Sequence, residues 1–456
     1  MKLKKVLALA LTVVMTASMV VGCGSSQTTS EGTTDSASAE GTSESSGASA
    51  PAKEGDEEIT WVFWDDLEAT DDLMTKQYAE TVKRFNEADN GYHVNVVTTN
   101  LEEYLAKINA MIAAGQTPDV FIIDPGPRLD TYVNNGVAMD LTDILAKDKE
   151  WSDTFTGGIF ERLTYDGKIM AVPTNFASAC VFYNTEIFEK VGIKETPKTW
   201  DEFMADCKLI KDAGYDPISV SAGTPWCLSM IAGYLCDREG GPDNLQGIKD
   251  GTAKWTDPTF VDATKKLVDM SQYFQATYSG DSNDQAVANF YNGTAAMLVQ
   301  GSWAIAQING NNPEMEDKCG VFQFPGIEGG ADPNRMIVKT DNLMISATTK
   351  HLDACIAFLK EMTGDTAQKA TAEIAGKIPV TNVEIDTNVA PKQFSYVEDV
   401  LSNMTGTLGF YNESLASTEA GDRFDNTMVS IVMGQMTPEE GLQDLQDWYD
   451  ANVNNK

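Results

Sequence analysis

The pattern of apolar and polar residues changes its period repeatedly from Ile59 onward. The segment "ITWVFW" is a run of strand-forming residues, and apolar residues between Met74 and Phe85 then recur every three to four positions, as on one face of a helix. The alternation repeats in "HVNVVT", in the apolar spacing of Leu105 and Ile112, and in the continuous apolar run "DVFII". This order of strand, helix, strand, helix and strand predicts a doubly wound α/β layer of parallel strands.

Such a layer binds ligands beyond the carboxyl ends of its strands. Trp64, Asp65 and Asp66 follow the first predicted strand, and Asp124 follows the third. We expect these four residues at the ligand-binding edge of the sheet. Trp64 is a better candidate than Trp61, because it lies at the end of the strand. For Asp124 the alternative is that it caps a helix beginning in "PGPRLDTYV".

The later chain repeats the alternation of strands and helices. We predict a strand at "IMAVP", helices around residues 200–213 and 258–274, and a strand at "GVFQFP". We predict that Trp200 in "PKTWDEF" starts a helix, and that Trp255 and Trp448 are packing residues. The length of chain after residue 160 requires a second α/β domain.

The N-terminus has the features of an export signal. Lys2, Lys4 and Lys5 precede a short apolar run that ends at Gly22-Cys23, and "VVGC" resembles a bacterial lipobox. Residues 1–22 are therefore predicted to be a lipoprotein signal peptide, with Cys23 lipid-modified on the extracellular face of the cytoplasmic membrane. The alternative is a plain secretory signal that contains a cysteine. No other segment of the sequence is long and apolar enough to span a bilayer.

Residues 23–58 are rich in Ser, Thr, Gly and Glu and contain no aromatic residue. Such a composition cannot bury enough apolar surface to order itself, so we predict a disordered tether. A random coil of this length spans about 30–35 Å. The tether would therefore hold a folded body away from the membrane surface.

Charge excludes several classes of partner. The 456 residues include 68 acidic and 33 basic residues, which gives a net charge of −35. A chain this acidic lacks the clustered cations that bind nucleic acid or an anionic membrane surface. We therefore expect neither partner.

Catalytic and metal-binding motifs are missing from the sequence. Its two histidines are His93, within a predicted strand, and His351, at the start of a predicted helix, so neither a Ser-His-Asp triad nor a histidine metal site is indicated. Phosphate-binding, zinc-protease and nucleophile-elbow motifs do not occur either. We predict no cofactor and no metal. A pair of carboxylates could still hydrolyse glycosides, but 68 acidic residues do not single out such a pair.

The cysteines after Cys23 form no C-x-x-C motif, and most lie in apolar patterns. We predict buried free thiols. Cys227 and Cys236 are near enough in sequence for a disulfide, which is the alternative.

Several segments resemble, in order, the extracellular solute-binding proteins of ABC importers, in the family of the maltose- and multiple-sugar-binding proteins. The matching segments are "TPDVFIID", "GVAMDLTDIL", "DGKIMAVPTNFASACVFYNTEIFEKVGI", "PKTWDEF", "FYNGTAAMLVQGSW", "GVFQFPG", "HLDACIAFLKEMTGDTAQKA" and "GKIPV". The resemblance implies a type II periplasmic-binding-protein-like α/β fold, with two doubly wound lobes joined by a hinge. Lobe one would comprise residues 59–162 and 341–390, and lobe two residues 163–340 and 391–456.

The resemblance also implies further ligand-binding residues. Trp303, which follows two small residues in "QGSW", and Trp226 match positions that form aromatic walls for sugar, and the alternative for each is core packing. Asn175 follows "AVP", where the chain returns to the cleft. Glu161, Asp341 and Asn342 lie near expected hinge crossings, and the last two could instead be turn residues.

The resulting hypothesis is a lipid-anchored, monomeric binding protein that is not an enzyme. It would capture a carbohydrate between the lobes and deliver it to an ABC permease. An oligosaccharide is the preferred candidate. The alternatives are a surface glycoside hydrolase that uses paired carboxylates, and a sensor without transport.

Overall fold

The computed structural model describes residues 52–101 and 103–454, so the predicted signal peptide 1–22, Cys23 and the tether up to residue 51 lie outside the described residues. The first strand begins at Glu57, two residues before the predicted start of the folded chain. The strands are β1 (Glu57–Phe63), β2 (Tyr92–Thr98), β3 (Val120–Ile123), β4 (Thr164–Tyr165), β5 (Lys168–Ile169), β6 (Val172–Asn184), β7 (Asp216–Ser219), β8 (Ala295–Gly301), β9 (Cys319–Phe322), β10 (Arg335–Ile345) and β11 (Gly406–Leu408).

Helices alternate with these strands along the chain. None of the helices within residues 52–101 and 103–454 has the length and apolar content that a membrane-spanning helix requires. The helices are α1 (Leu73–Glu87), α2 (Tyr104–Ala113), α3 (Pro127–Asn134), α4 (Thr142–Lys147), α5 (Lys149–Ser152), α6 (Thr185–Val191), α7 (Trp200–Asp212), α8 (Trp226–Gly240), α9 (Pro242–Asp250), α10 (Pro258–Ser271), α11 (Asn283–Tyr291), α12 (Ala304–Asn311), α13 (Met315–Lys318), α14 (Leu352–Thr363), α15 (Asp365–Glu373), α16 (Lys392–Ser402), α17 (Thr418–Val432) and α18 (Pro438–Tyr449).

The first three strands form the predicted parallel layer. β1 lies between β2 and β3 and is parallel to both. Helix α1 buries Met74 and Phe85 on one face, as the apolar spacing predicts, and all of β3 is buried. The prediction of a doubly wound layer in this part of the chain is therefore confirmed.

Helix α7 begins where the sequence predicts. Thr199 accepts a hydrogen bond from the backbone N–H of Glu202, and the Glu202 carboxylate accepts one from the backbone N–H of Thr199. This capping box satisfies amide groups that the first turn of a helix leaves without partners. Trp200, the first residue of the helix, is buried, so its interpretation as a structural residue is confirmed.

Two long strands connect the two ends of the sheet, whose strand order is β2-β1-β3-β10-β6-β8-β7. β10 is antiparallel to β6 through residues 338–343 and to β3 through residues 342–345, and β6 continues to pair with β8 and β9. The predicted strand "IMAVP" is wrong in extent. Residues 168–169 belong to a small hairpin with β4, whereas β6 begins at Val172 and runs for 13 residues.

The largest hydrophobic clusters lie at opposite ends of this sheet. One surrounds β1, β2 and β3 and contains the fully buried Trp61, and the other lies beside β7 and β8 and contains the fully buried Trp255. The six cysteines of the described chain are all buried and unbridged. Free thiols are therefore confirmed, and the alternative of a bond between Cys227 and Cys236 is wrong.

Candidate ligand-binding site

Trp64 lies immediately after β1, at the carboxyl edge of the parallel layer. Its ring stacks on Phe63 at a centroid distance of 5.4 Å and meets Tyr104 edge-on, also at 5.4 Å. Trp64 is half-buried, whereas Trp61 in the middle of the strand is fully buried. Of the two tryptophans, Trp64 is therefore the one that can offer a ring to a ligand.

The two aspartates after Trp64 organise the connection to α1. Asp65 Oδ2 accepts hydrogen bonds from Thr70 Oγ1 at 3.1 Å and Thr75 Oγ1 at 2.8 Å. Asp66 is exposed, and its Oδ1 accepts hydrogen bonds from the amides of the following turn. Both carboxylates therefore have a local structural role, whatever they contribute to a ligand.

Trp226, Trp303 and Phe410 form an aromatic cluster. Trp226 begins α8, Trp303 immediately precedes α12, and Phe410 follows β11. The ring centroids of each pair lie 6.0 to 6.1 Å apart. The structure thus brings together the two tryptophans that the resemblance selected, and adds Phe410, which sequence reasoning missed because "LGFYNE" has no distinctive motif.

The ring of Trp303 lies directly on the backbone of Gly301. A Cβ placed on Gly301 would lie 2.0 Å from a carbon of the Trp303 six-membered ring, closer than any real contact. Ser302 is buried, donates its backbone N–H to the Ser178 carbonyl at 2.9 Å, and accepts from the Ser178 amide through Oγ. The small residues before Trp303 therefore provide room for its flat ring.

Charged side chains surround the aromatic cluster on the side of β3 and β10. Asp124, after β3, contacts Lys339 Nζ at 2.8 Å and Arg128 Nη1 at 2.6 Å. Lys339 Nζ also lies 5.9 Å from the ring centroid of Phe410. Burial by itself would raise the pKa of Asp124, but Lys339 and Arg128 hold this pKa well below its ordinary value. The helix-cap alternative for Asp124 is wrong, because α3 is preceded by Gly126 and has no side-chain cap.

Glu413 joins this network from the segment after β11. Its Oε1 lies 3.5 Å from Lys339 Nζ, and burial raises the pKa of its carboxyl. Arg162 also reaches this segment, since a Cβ on Gly409 would lie 2.8 Å from Arg162 Nη2. Glu161, the predicted residue beside it, is exposed on a single 3₁₀ turn. Arg162 is therefore the residue of this turn that lies at the site.

Asp341 forms a second polar cluster on the same face of β10 as Lys339, two residues away. Its Oδ2 accepts a hydrogen bond from Asn175 Nδ2 at 2.8 Å and lies 3.5 Å from Lys377 Nζ. Asn175 Nδ2 also donates to Tyr78 Oη at 3.0 Å. Asn175 and Asp341 are thus direct neighbours, and both are buried.

Asn342 is fully buried in the sheet. Its Nδ2 donates to the carbonyls of Ile123 and Thr340. Asp341 and Asn342 lie within β10 on either side of a break in register with β6, so the alternative that they are turn residues is wrong. A bulge of this kind turns neighbouring side chains away from regular alternation.

The assembled groups suit a polar ligand with apolar faces. Aromatic rings bind the C–H faces of a sugar, while carboxylates, amides and cations bind its hydroxyls. The elements that supply these groups come from both ends of the sheet. They are the ends of β1 and β3, strands β6 and β10, the starts of α8 and α12, and the segment after β11.

Comparison with known sequences identifies the family of this chain. A family model described as bacterial extracellular solute-binding protein matches residues 71–369. An uncharacterized ABC transporter extracellular-binding protein of Pyrococcus horikoshii is 23% identical over 392 residues, covering 85% of this chain and 80% of that protein. The multiple sugar-binding protein of Streptococcus mutans is 26% identical over 295 residues, covering 58% of this chain and 68% of that protein.

A solved structure has the same fold. A chitin oligosaccharide binding protein matches with a TM-score of 0.77 and 26% identity, covering 87% of this chain and 98% of that chain. This similarity, together with the mixed sheet, confirms the predicted type II periplasmic-binding-protein fold. With its family model spanning more than half of its length, the chain belongs to the bacterial extracellular solute-binding proteins.

Proposed function

We propose that this protein captures a carbohydrate and delivers it to an ABC-type import permease. An oligosaccharide is the preferred candidate. The observation that carries the proposal is the aromatic cluster of Trp226, Trp303 and Phe410 beside the charged residues Asp124 and Lys339. Aromatic faces next to hydrogen-bonding groups are the chemistry that sugar rings require. The names of the Streptococcus and chitin oligosaccharide relatives support the same ligand class.

The ligand would bind between two lobes, with residues 59–162 and 341–390 in lobe one and residues 163–340 and 391–456 in lobe two. The separate hydrophobic clusters around β1–β3 and β7–β8 support this division, and β6 and β10 pass from one to the other. A ligand that contacts both lobes favours their closed arrangement, because it binds that arrangement more tightly.

We also propose that the protein works as a lipid-anchored monomer outside the cell. The lipobox-like "VVGC" would place a lipid on Cys23 after removal of residues 1–22, and the segment from Cys23 to the residue before β1 would form the tether. Labelling of cells with a radioactive fatty acid tests this directly. The wild-type protein should carry the label, and a Cys23→Ser variant should not.

Ligand binding is tested by thermal unfolding of the purified protein with maltotriose, raffinose, triacetylchitotriose and xylotriose. A sugar present at 100 times its dissociation constant stabilises the folded state by about 2.7 kcal/mol. Mass spectrometry should recover the sugar intact, whereas a glycosidase would release shorter products. If none of the sugars raises the melting temperature and a peptide does, the proposed ligand class is wrong.

A further inference from the structure

Glu413 has a buried carboxylate with one unpartnered oxygen. Its residue surface is 6% exposed, and Oε1 lies 3.5 Å from Lys339 Nζ. Oε2 is buried and has no hydrogen-bond partner among the described residues. A buried acceptor without a donor costs free energy, and the cost is larger for a charged group. A ligand that supplied a donor would remove this cost.

The position of Glu413 puts this oxygen beside the candidate site. Phe410 of the aromatic cluster lies three residues earlier, and Lys339 links Glu413 to Asp124. The loop after β3 approaches the same segment so closely that a Cβ on Gly126 would lie 2.1 Å from the Glu413 carbonyl oxygen. Glu413 thus lies where the segment after β11 meets the loop that carries Asp124.

Acidic side chains outnumber basic ones in this part of the described chain. Burial raises the pKa of Glu413, and three nearby cations, Lys339, Arg128 and Arg162, act in the opposite direction. The pKa of Arg128 is raised in turn by acidic groups that include Asp422. The cations are Lys339, Arg128 and Arg162, and the anions are Asp124, Glu413 and Asp422. Asp425, hydrogen-bonded to Ser229 and Asn412, adds an acidic group rather than a basic one. A ligand carboxylate facing Glu413 Oε2 would bring two like charges together at a buried interface, which costs several kcal/mol of binding.

Resting on the proposed function, we infer that Glu413 is a specificity-determining residue: its free carboxylate oxygen accepts a hydrogen bond from a hydroxyl of an uncharged sugar and excludes sugars that carry a carboxylate. The aromatic cluster would contact the sugar ring while Glu413 accepts a hydrogen bond from one of the sugar hydroxyls. A site built to bind a hydroxyl discriminates strongly against a ligand that cannot donate there.

The test is calorimetric titration of the full chain with maltotriose, raffinose and triacetylchitotriose, and with the same sugars after one primary hydroxyl is oxidised to a carboxylate. Wild-type protein should bind at least one neutral sugar, and bind its acidic form at least about 10-fold more weakly. Glu413→Gln should lower the affinity for the neutral sugar about 10-fold and reduce the discrimination against the acidic form.

The matched control is Glu328→Gln, because Glu328 is exposed and has no hydrogen bond or ion pair in the described chain. This control should bind like wild type.

The melting temperature of Glu413→Gln without ligand should not fall, since the change removes a desolvated charge. A purely structural role of Glu413 would lower this melting temperature. Equal binding of the neutral sugar by wild type and Glu413→Gln, or equal binding of neutral and acidic sugars, would overturn the inference and leave the proposed function intact. If no sugar binds to wild type, the proposed function fails and this inference with it.

Discussion

Lys339 Nζ lies 2.8 Å from Asp124 Oδ1, and this contact joins β10 to the loop that leaves β3. Arg128 holds the other carboxylate oxygen. Because the pKa of Asp124 is lowered in the fold, its ion pairs stabilise the folded state above the unfolded-state pKa of about 3.9. This stabilisation is lost as the pH falls through the folded-state pKa.

Lys339→Gln should therefore destabilise the protein by about 3 kcal/mol at pH 7, because Asp124 stays buried with only one cationic partner. The difference from wild type should shrink as the pH is lowered toward 2. Urea unfolding across this pH range measures both effects. Lys350→Gln is the control, since Lys350 is exposed and has no partner in the described residues. Equal stability of the two variants would mean that the contact with Asp124 contributes nothing.

Trp303→Ala should weaken binding of whichever sugar the protein binds by about 30-fold or more, because central tryptophans commonly contribute at least 2 kcal/mol to binding. Calorimetric titration measures the loss. Trp448→Ala is the matched control, since Trp448 is half-buried on α18 and packs on Tyr449. That control should lose stability and keep its affinity. Unchanged sugar affinity in Trp303→Ala would contradict the hypothesis that the Trp303 ring stacks on the sugar.

Gly301→Ala should displace the Trp303 ring, because the added methyl group would lie 2.0 Å from it. We expect a change in the near-ultraviolet circular dichroism of tryptophan and a lower sugar affinity, although no proposed ligand contact is removed. Gly280→Ala serves as the control, since nothing lies within 4 Å of the corresponding position. A Gly301→Ala protein with the wild-type spectrum and affinity would show that the ring tolerates the methyl group.

Asp425 should make the fold less stable as the pH rises. Burial raises its pKa to about 7, although hydrogen bonds from Ser229 and Asn412 act in the opposite direction. Between the unfolded-state pKa of about 3.9 and pH 7 the folded state holds a proton that the unfolded state releases, so stability declines over this window. Asp425→Asn should remove this decline, which is worth up to about 4 kcal/mol. Urea unfolding at pH 5 and pH 8 tests it, and an equal decline in both proteins would contradict the assignment.

Much of the fold follows from local patterns. The apolar spacing on α1, the continuous apolar run of β3 and the capping residues of α7 each specify an element within a short window. The length of β6 does not follow in this way, because polar residues such as Asn175 lie inside it. Its extent depends on neighbours from β8 and β10, which are distant in sequence.

The candidate site was predictable only in part, for the same reason. The ends of the parallel strands indicate Trp64 and Asp124, and a family resemblance indicates Trp226 and Trp303. Lys339, Phe410 and Glu413 come from segments whose residues have no local signature. Only the pairing of β10 with β3 and β6, and the placement of β11 beside β10, brings them together.

The central position of β10 has a consequence for how the chain can be divided. β10 lies between β3 and β6, yet it follows both of them by more than 150 residues. A protein truncated before residue 335 would expose the facing edges of β3 and β6, and unpaired edges of buried strands are templates for aggregation. During synthesis, neither end of the sheet can therefore complete its pairing until the chain has left the ribosome as far as Ile345, about three quarters of its 456 residues.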